Sequence, residues 1–131
     1  MFISLNMLYR FCRGFLQKGS IISRRFHCDY INLGFSGSTR AEDTIAKYIA
    51  GLDMSLFVYD YDYNAPTADH LRDTHEKMFQ TIRNAYPGLP IIILSRPKIT
   101  LNETEEDRRQ IIASTYQKAM ASGDNRVFSG R

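Results

Sequence analysis

The sequence predicts an α/β domain built on a parallel sheet. Short apolar segments alternate three times with longer segments of helical periodicity between residues 28 and 122. The strand-like segments are too apolar to face water, which is typical of parallel strands that helices cover on both faces. The length of 131 residues fits one domain, and 44% hydrophobic with 24% charged residues is an ordinary globular composition.

The first strand and helix of this alternation lie between residues 28 and 52. Residues 28–34 form a short apolar segment that ends in glycine, which indicates a strand that runs into a loop. Apolar side chains then recur at helical spacing as far as Leu52. Thr39 and Glu42 stand at the spacing of a capping box and predict the start of this helix.

Two further strand–helix pairs and the start of a last strand complete the alternation. Residues 55–59 and 90–94 are apolar runs of strand length, and the helix between them ends at Pro87 and Gly88. A last helix is predicted from about residue 103 to 122, before a strand that begins at Val127. The side chains predicted to face the core are Leu71, His75, Met78, Phe79, Ile82 and Tyr86 in the long helix and Ile112, Tyr116, Ala119 and Met120 in the last one.

The N-terminal segment differs in composition from the rest of the chain. Residues 1–28 hold five basic and no acidic residues, whereas the remainder holds 12 basic and 14 acidic ones. An acid-free, aromatic start is typical of a targeting peptide, but Arg10 and Arg13 interrupt its apolar run and no small-x-small cleavage site follows. We therefore expect residues 1–17 to pack on the domain as a helix or to lie outside the fold. The sequence does not determine the compartment, although the poor match to a targeting peptide favours the cytoplasm.

Charge, hydropathy and cysteine content exclude several classes of function. The body of the chain is mildly acidic, so the net charge of +3 does not predict a nucleic-acid partner. No stretch approaches about 18 uncharged apolar residues, so we expect no membrane-spanning helix and no membrane partner. Cys12 and Cys28 fit neither a disulfide framework nor a metal-binding spacing. His70 and His75 are separated by roughly 140° around a helix and cannot hold one metal together.

The polar candidates for chemistry lie where the predicted strands end. In an open parallel sheet ligands bind at the carboxyl ends of the strands, which here are the loops 34–39, 60–67 and 95–100. The first loop leads into a helix N-terminus, where backbone N–H groups favour an anion or a developing oxyanion. Its two glycines are also explained by a tight turn alone.

The second loop, residues 60–66, is unusually polar for the end of an apolar strand. Asn64 offers an amide donor, and Asp60 and Asp62 offer carboxylates. An Asp-x-Asp pair after a strand is similar to the haloacid-dehalogenase type of phosphatase, which binds Mg²⁺ and uses one Asp as nucleophile. Asp124 would extend that interpretation, but the Asn-Ala-Pro sequence after the pair is a weak substitute for the flexible small residues of that family.

Two separated segments resemble motif blocks of the SGNH (GDSL-like) hydrolase superfamily, in its bacterial acetyl-esterase-like branch. Residues 29–38 resemble the second block and residues 60–66 the third. Residues 20–26 are similar to the end of the family's first helix, and residues 91–97 to the strand and loop that follow the third block. The resemblance covers the chain from about residue 20 to 124.

This resemblance implies a three-layer α/β/α, flavodoxin-like fold and the hydrolysis of carboxylic esters without metal or cofactor. The substrate would be a small-molecule or carbohydrate ester, with an acetyl or other small acyl group. Gly37 and Asn64 would donate to the oxyanion of the tetrahedral intermediate. Ser36, Ser38 and Asp62 would bind substrate.

The chain departs from the family pattern at both ends. Residues 1–19 contain no Gly-x-Ser nucleophile block after a recognisable strand, and no histidine follows His75 to form the Asp-x-x-His block. We therefore expect a domain truncated at both ends, with residues 20–131 forming a partial SGNH domain of weak or no activity. The alternatives are a Mg²⁺-dependent phosphatase using Asp60 and Asp62, and a non-catalytic fragment or binding module.

Overall fold

The computed structural model describes residues 2–5, 23–33, 38–95 and 103–130. These residues form one five-stranded sheet, three helices that connect its strands, and a short helical segment at residues 23–26. The strands are β1 (Phe2–Leu5), β2 (Tyr30–Asn32), β3 (Leu56–Tyr59), β4 (Ile91–Leu94) and β5 (Val127–Gly130), and the helices are α1 (Asp43–Ala50), α2 (Ala68–Ala85) and α3 (Glu103–Ala121).

The sheet confirms the predicted parallel α/β fold. Its strands follow the order β2-β1-β3-β4-β5, and each neighbouring pair is parallel. This is the strand order of flavodoxin-like sheets. In register, Leu5 lies opposite Tyr59 and Tyr59 lies opposite Ile93, so the carboxyl ends of β1, β3 and β4 meet at one edge.

Strand β1 is a correction to the sequence analysis. The expectation that residues 1–17 form a helix or lie outside the fold is wrong for Phe2–Leu5, which pairs with β2 on one side and with β3 on the other. A four-residue strand inside an apolar, basic segment has no periodicity of its own. Only its pairing with residues far along the chain selects the strand conformation, and a local pattern does not record that pairing.

The three helices lie together on one face of the sheet. The connections from β2 to β5 all advance in the same direction, and right-handed crossovers place such helices on the same side. Helix α2 packs against both α1 and α3. Phe57 and Tyr59 of β3 are buried beneath the helices, while the alternate residues Leu56 and Val58 on the other face are half-buried. The layer predicted on that second face lies largely outside the described residues.

Helices α2 and α3 follow the predicted periodicity except at one residue. The five predicted core residues from Leu71 to Ile82 in α2 are all buried. Ile112 and Ala119 of α3 are buried as predicted, but Met120 is 47% exposed. Because adjacent helical residues are separated by about 100°, Met120 points away from the face on which Ala119 packs. Among the described helices, none combines the length and apolarity needed to cross a membrane.

The start of α1 is a second correction. The helix begins at Asp43, and its N-cap residue Glu42 makes no side-chain capping bond, so the predicted capping box is wrong. The Thr39 hydroxyl instead donates to the carbonyl oxygen of Leu33 at 3.3 Å. Ala41 has a left-handed backbone (φ 56°), which interrupts the helical path between Thr39 and Asp43. Thr39 therefore closes the base of the loop that follows β2.

Candidate active site

The candidate site lies at the carboxyl ends of β1 and β3. The chain leaves β1 for β2 on one side, while β3, β4 and β5 are added on the other side. Sheets with this order bind ligands in the crevice at the β1/β3 switch point. Because Leu5 and Tyr59 end these strands as register partners, the loop 60–67 that follows Tyr59 borders this crevice.

The loop after β3 folds inward as a buried turn. The backbone N–H of Asn64 donates to the carbonyl oxygen of Tyr61 at 2.9 Å and closes the turn. The side chains of Tyr61, Asp62, Asn64 and Ala65 are at most 5% exposed. Connecting loops normally run over the surface, since buried polar groups need partners. The loop after β3 therefore packs into the fold at these four residues instead of running over the surface.

Asn64 presents a buried side-chain amide to the loop after β3. Neither its Nδ2 nor its Oδ1 atom has a partner among the described residues. An unsatisfied buried polar group costs about 1–3 kcal/mol, and native structures contain few of them. An amide N–H that is desolvated and uncommitted is the kind of group that can donate to a charge developing on a substrate.

Arg108 holds the turn from the side of α3. Its Nε donates to Oδ1 of Asp62 at 2.8 Å, and its Nη2 donates to the carbonyl oxygen of Ala65 at 3.0 Å. The same Nη2 also donates to the carbonyl oxygen of Asp62. Both side chains of the ion pair are almost completely buried, with 5% and 3% of their surfaces exposed. One guanidinium therefore binds the chain on both sides of Asn64.

The loops that follow β2 and β3 are tied together. The hydroxyl of Tyr61 donates to the carbonyl oxygen of Arg40 at 2.8 Å, and Nε2 of His70 donates to the same oxygen at 2.9 Å. Thr74 adds a hydrogen bond to the hydroxyl of Tyr61 at 3.2 Å. The backbone at the end of the first loop is thus fixed against the second loop and the start of α2.

The structure describes some of the predicted site residues but not all of them. Ser36 and Gly37 lie outside the described residues, so their proximity to Asn64 stays a prediction. Ser38 is exposed in a turn at the end of the same loop. Asp62 is buried with its carboxylate on Arg108, an arrangement that suits a positioning role better than contact with substrate.

His75 is buried in the core behind this loop, as its place in the apolar stripe predicts. Its Nδ1 lies 2.8 Å from the hydroxyl of Thr115, while Nε2 has no partner among the described residues. The ring stacks on Tyr59 and, more loosely, on Tyr61. Burial lowers the pKa of His75 to about 3, so the imidazole is neutral near neutral pH.

The phosphatase alternative finds no support in this geometry. The carboxylate of Asp62 pairs with Arg108, whose positive charge opposes a divalent cation. Asp124 precedes β5 and lies 2.8 Å from Nε of Arg83, at the edge of the sheet opposite to the loop after β3. The described part of the chain holds no group of three or more His, Cys, Asp or Glu side chains placed to bind a metal ion.

A second cleft, of about 380 Å³, runs along the same edge of the sheet between α3 and the ends of β4 and β5. Ser95 and Ser129 contribute hydroxyls to its lining, Arg109 contributes a guanidinium, and Tyr116 and Ile112 contribute apolar surface. Its size is at the lower end of the range of small-molecule sites, and its mixture of apolar and polar groups is typical of them.

Arg108 is the site residue that sequence reasoning missed, although the sequence contains a signal for it. Arg108, Ile112, Thr115 and Ala119 are spaced by four, three and four residues, which is the period of one helix face, and all four are buried. A charged residue on an otherwise inward stripe predicts a buried ion pair.

Comparisons with known proteins give one family match and solved structures of the same fold. Residues 12–129 match the GDSL-like lipase/acylhydrolase family. A protein from Bacteroides ovatus described as a GDSL-like lipase shares 21% identity with a TM-score of 0.78, and the salicylyl-acyltransferase SsfX3 of a tetracycline biosynthetic pathway shares 16% with a TM-score of 0.74. Each match covers 98% of this chain and 41% of the solved chain, so the sequence spans less than half the length of either protein. No curated protein sequence matches the chain.

Proposed function

Because the chain belongs to the GDSL-like lipase/acylhydrolase family, we propose that its site acts on carboxylic esters and that Asn64 donates to the oxyanion of the tetrahedral intermediate. The observation that carries this proposal is the buried amide of Asn64 beside the β1/β3 crevice, for which the described residues provide no hydrogen-bond partner. We further propose an acetyl or other small acyl ester, including esters of carbohydrates, as substrate.

The proposed role of Asn64 in ester hydrolysis depends on where negative charge develops during the reaction. When a nucleophile attacks the ester carbonyl, the carbonyl oxygen becomes an oxyanion that requires hydrogen-bond donors. The amide of Asn64 is already desolvated, and its turn is held by Tyr61 and Arg108, so little reorganisation is needed when the charge appears. The backbone N–H of Gly37 is the proposed second donor, because the loop after β2 ends at the same edge of the sheet.

The 131-residue chain by itself is proposed to have weak catalytic activity. No histidine follows His75 in the sequence, and His75 itself is buried against Thr115 and Tyr59. It is therefore poorly placed to serve as a general base for a nucleophile in the crevice. Oxyanion donors without nucleophile and base leave a residual acceleration of at most roughly 10³- to 10⁴-fold over water.

The test is the initial rate of p-nitrophenyl acetate hydrolysis for the wild type, Asn64→Ala and Asn84→Ala. Asn84 is an exposed residue near the end of α2 and serves as the matched control. The proposal predicts that Asn64→Ala removes most of the rate above buffer and that Asn84→Ala retains it. Equal rates for all three proteins would contradict the role of Asn64.

The same assay tests the proposed weakness of the chain. Alanine variants of Ser4 and Ser20 are expected to leave the slow rate unchanged, and alanine variants of the predicted substrate-binding residues Ser36 and Ser38 are expected to lower it without abolishing it. Enzyme-like turnover that one of these variants abolishes would identify a nucleophile and show that the chain is an effective hydrolase.

A further inference from the structure

We propose that Arg108 is the positioning residue of this site and that it acts by fixing the turn that presents Asn64. Its catalytic consequence rests on the proposed function of Asn64, whereas its effect on the position of Asn64 does not. Arg108 belongs to α3, far along the chain from the loop after β3. Arg108 also lies outside the segments 29–38 and 60–66 that resemble the family's motif blocks.

Arg108 makes hydrogen bonds to residues that precede and follow Asn64 in the sequence. Its guanidinium bonds the carboxylate and the carbonyl oxygen of Asp62, two residues before Asn64, and the carbonyl oxygen of Ala65, one residue after it. The planar guanidinium offers several donors in fixed directions, so bonds to three acceptors also fix their relative placement. The short turn closed by the N–H of Asn64 lies within this set of contacts.

No hydrogen bond from a described residue holds the side chain of Asn64. Because neither of its amide atoms has a hydrogen-bond partner there, the position of the amide depends on its backbone and on packing. The backbone N–H of Asn64 donates to the carbonyl oxygen of Tyr61, and Arg108 makes hydrogen bonds to Asp62 and Ala65 on either side. A shift of Arg108 would therefore move the turn and the amide of Asn64 with it.

Stability alone is a poor explanation for this ion pair. Arg108 and Asp62 are both at least 95% buried by side-chain surface. Removing two charges from water is costly, and apolar residues of similar volume often stabilise a fold as well or better. The planar guanidinium of arginine fixes the relative positions of the groups that it binds, which an apolar contact or a lysine does not.

Arg83 provides a matched control at the other edge of the sheet. It also clamps a loop, since its Nη1 donates to the carbonyl oxygens of Tyr86 and Leu89, and its Nε lies 2.8 Å from Asp124. Both arginines are thus held in ion pairs with little exposure. Arg83→Lys and Arg108→Lys should both lower the free energy of unfolding, but Arg83→Lys should leave the candidate site unchanged.

The first experiment is NMR of the Asn64 side-chain amide, whose resonances are assigned by their absence in Asn64→Ala. Arg108→Lys is expected to shift these resonances and to speed their exchange with water, whereas Arg83→Lys leaves them unchanged. Unchanged Asn64 resonances in Arg108→Lys, or equal shifts in both variants, would overturn the proposal. If Arg108→Lys does not fold, Asp62→Asn is used instead, because this substitution removes the charge of the Asp62 carboxylate and keeps the shape of the side chain.

The second experiment measures the part of p-nitrophenyl acetate hydrolysis that Asn64→Ala abolishes. Misplacing a catalytic group by about 1 Å can cost roughly 100-fold, so Arg108→Lys is expected to lower kcat by ten- to a hundred-fold with little change in KM. Arg108→Ala with added guanidinium should regain part of that loss. A fall no larger than that of Arg83→Lys, or no rescue, contradicts the proposal. If no rate depends on Asn64, the proposed function fails and the NMR result alone decides the role of Arg108.

Discussion

The imidazole of His75 stacks on the ring of Tyr59 directly behind the candidate site. The ring centroids are 4.5 Å apart and the planes are inclined by 23°. The hydroxyl of Tyr59 donates to the backbone carbonyl oxygen of His75 at 3.1 Å, so the two residues are joined twice. Both side chains are inaccessible to solvent, and a charge on the imidazole would have to form inside the core.

This burial predicts a loss of stability in mild acid. The pKa of His75 falls from 6.5 to about 3 on folding, because burial disfavours the charged ring. The unfolded state therefore binds more protons between these two values, and the free energy of unfolding falls as the pH is lowered through that window. Between about pH 7 and pH 5 the contribution is on the order of 2 kcal/mol.

Urea unfolding at these two pH values tests the prediction. His75→Phe keeps the aromatic contact with Tyr59 and should reduce the pH dependence by about that amount, whatever its effect on stability at neutral pH. Asn84→Ala changes an exposed, non-titratable residue of α2 and should retain the pH dependence of the wild type. An unchanged slope in His75→Phe would show that the imidazole does not contribute to it.

The hydroxyl of Tyr61 is predicted to stabilise the two loops at the site. Tyr61→Phe removes the 2.8 Å bond to the carbonyl oxygen of Arg40, which still accepts from His70. The expected loss in free energy of unfolding is about 1 kcal/mol, the typical net value of a neutral hydrogen bond. Tyr48→Phe, at a residue that is 53% exposed, should change stability by less than half of that. Equal stabilities of the two variants would contradict the role of this bond.

Magnesium is predicted not to bind at the loop after β3. The carboxylate of Asp62 already pairs with Arg108, and a divalent cation would have to displace or approach that guanidinium. Calorimetric titration with millimolar MgCl₂ should give no heat that differs between the wild type and Asp62→Asn. Tight binding that Asp62→Asn abolishes, together with Mg²⁺-dependent turnover of p-nitrophenyl phosphate, would favour the phosphatase alternative instead.

The periodicity of the sequence predicted the elements that have a local signature. The stripe of α2 and the apolar runs of β3 and β4 were identified because burial on one face or on both repeats at a fixed spacing. Strand β1 was missed because four residues cannot show such a repeat, and its central place depends on pairing with β2 and β3. Local patterns therefore predicted the fold class but not the full membership of the sheet.

The site was predictable to a similar extent. The polarity of residues 60–66 and the rule for parallel sheets identified the loop and its amide donor. They could not show that Asp62 binds Arg108, because the partner lies 46 residues further along the chain. The capping spacing at Thr39 was misleading for a related reason, since its hydroxyl bonds back to Leu33 across the intervening loop.

Asn64 and the loop after β2 are proposed to donate to one oxyanion. The decisive measurement is the distance between the backbone nitrogen of Gly37 and Nδ2 of Asn64 in a crystal structure. Two donors that reach one oxygen at hydrogen-bond length lie about 6 Å apart at most, so we expect a separation within roughly 8 Å before substrate binds. A larger separation, or an Asn64 amide directed away from the β1/β3 crevice, would contradict the assignment of the site.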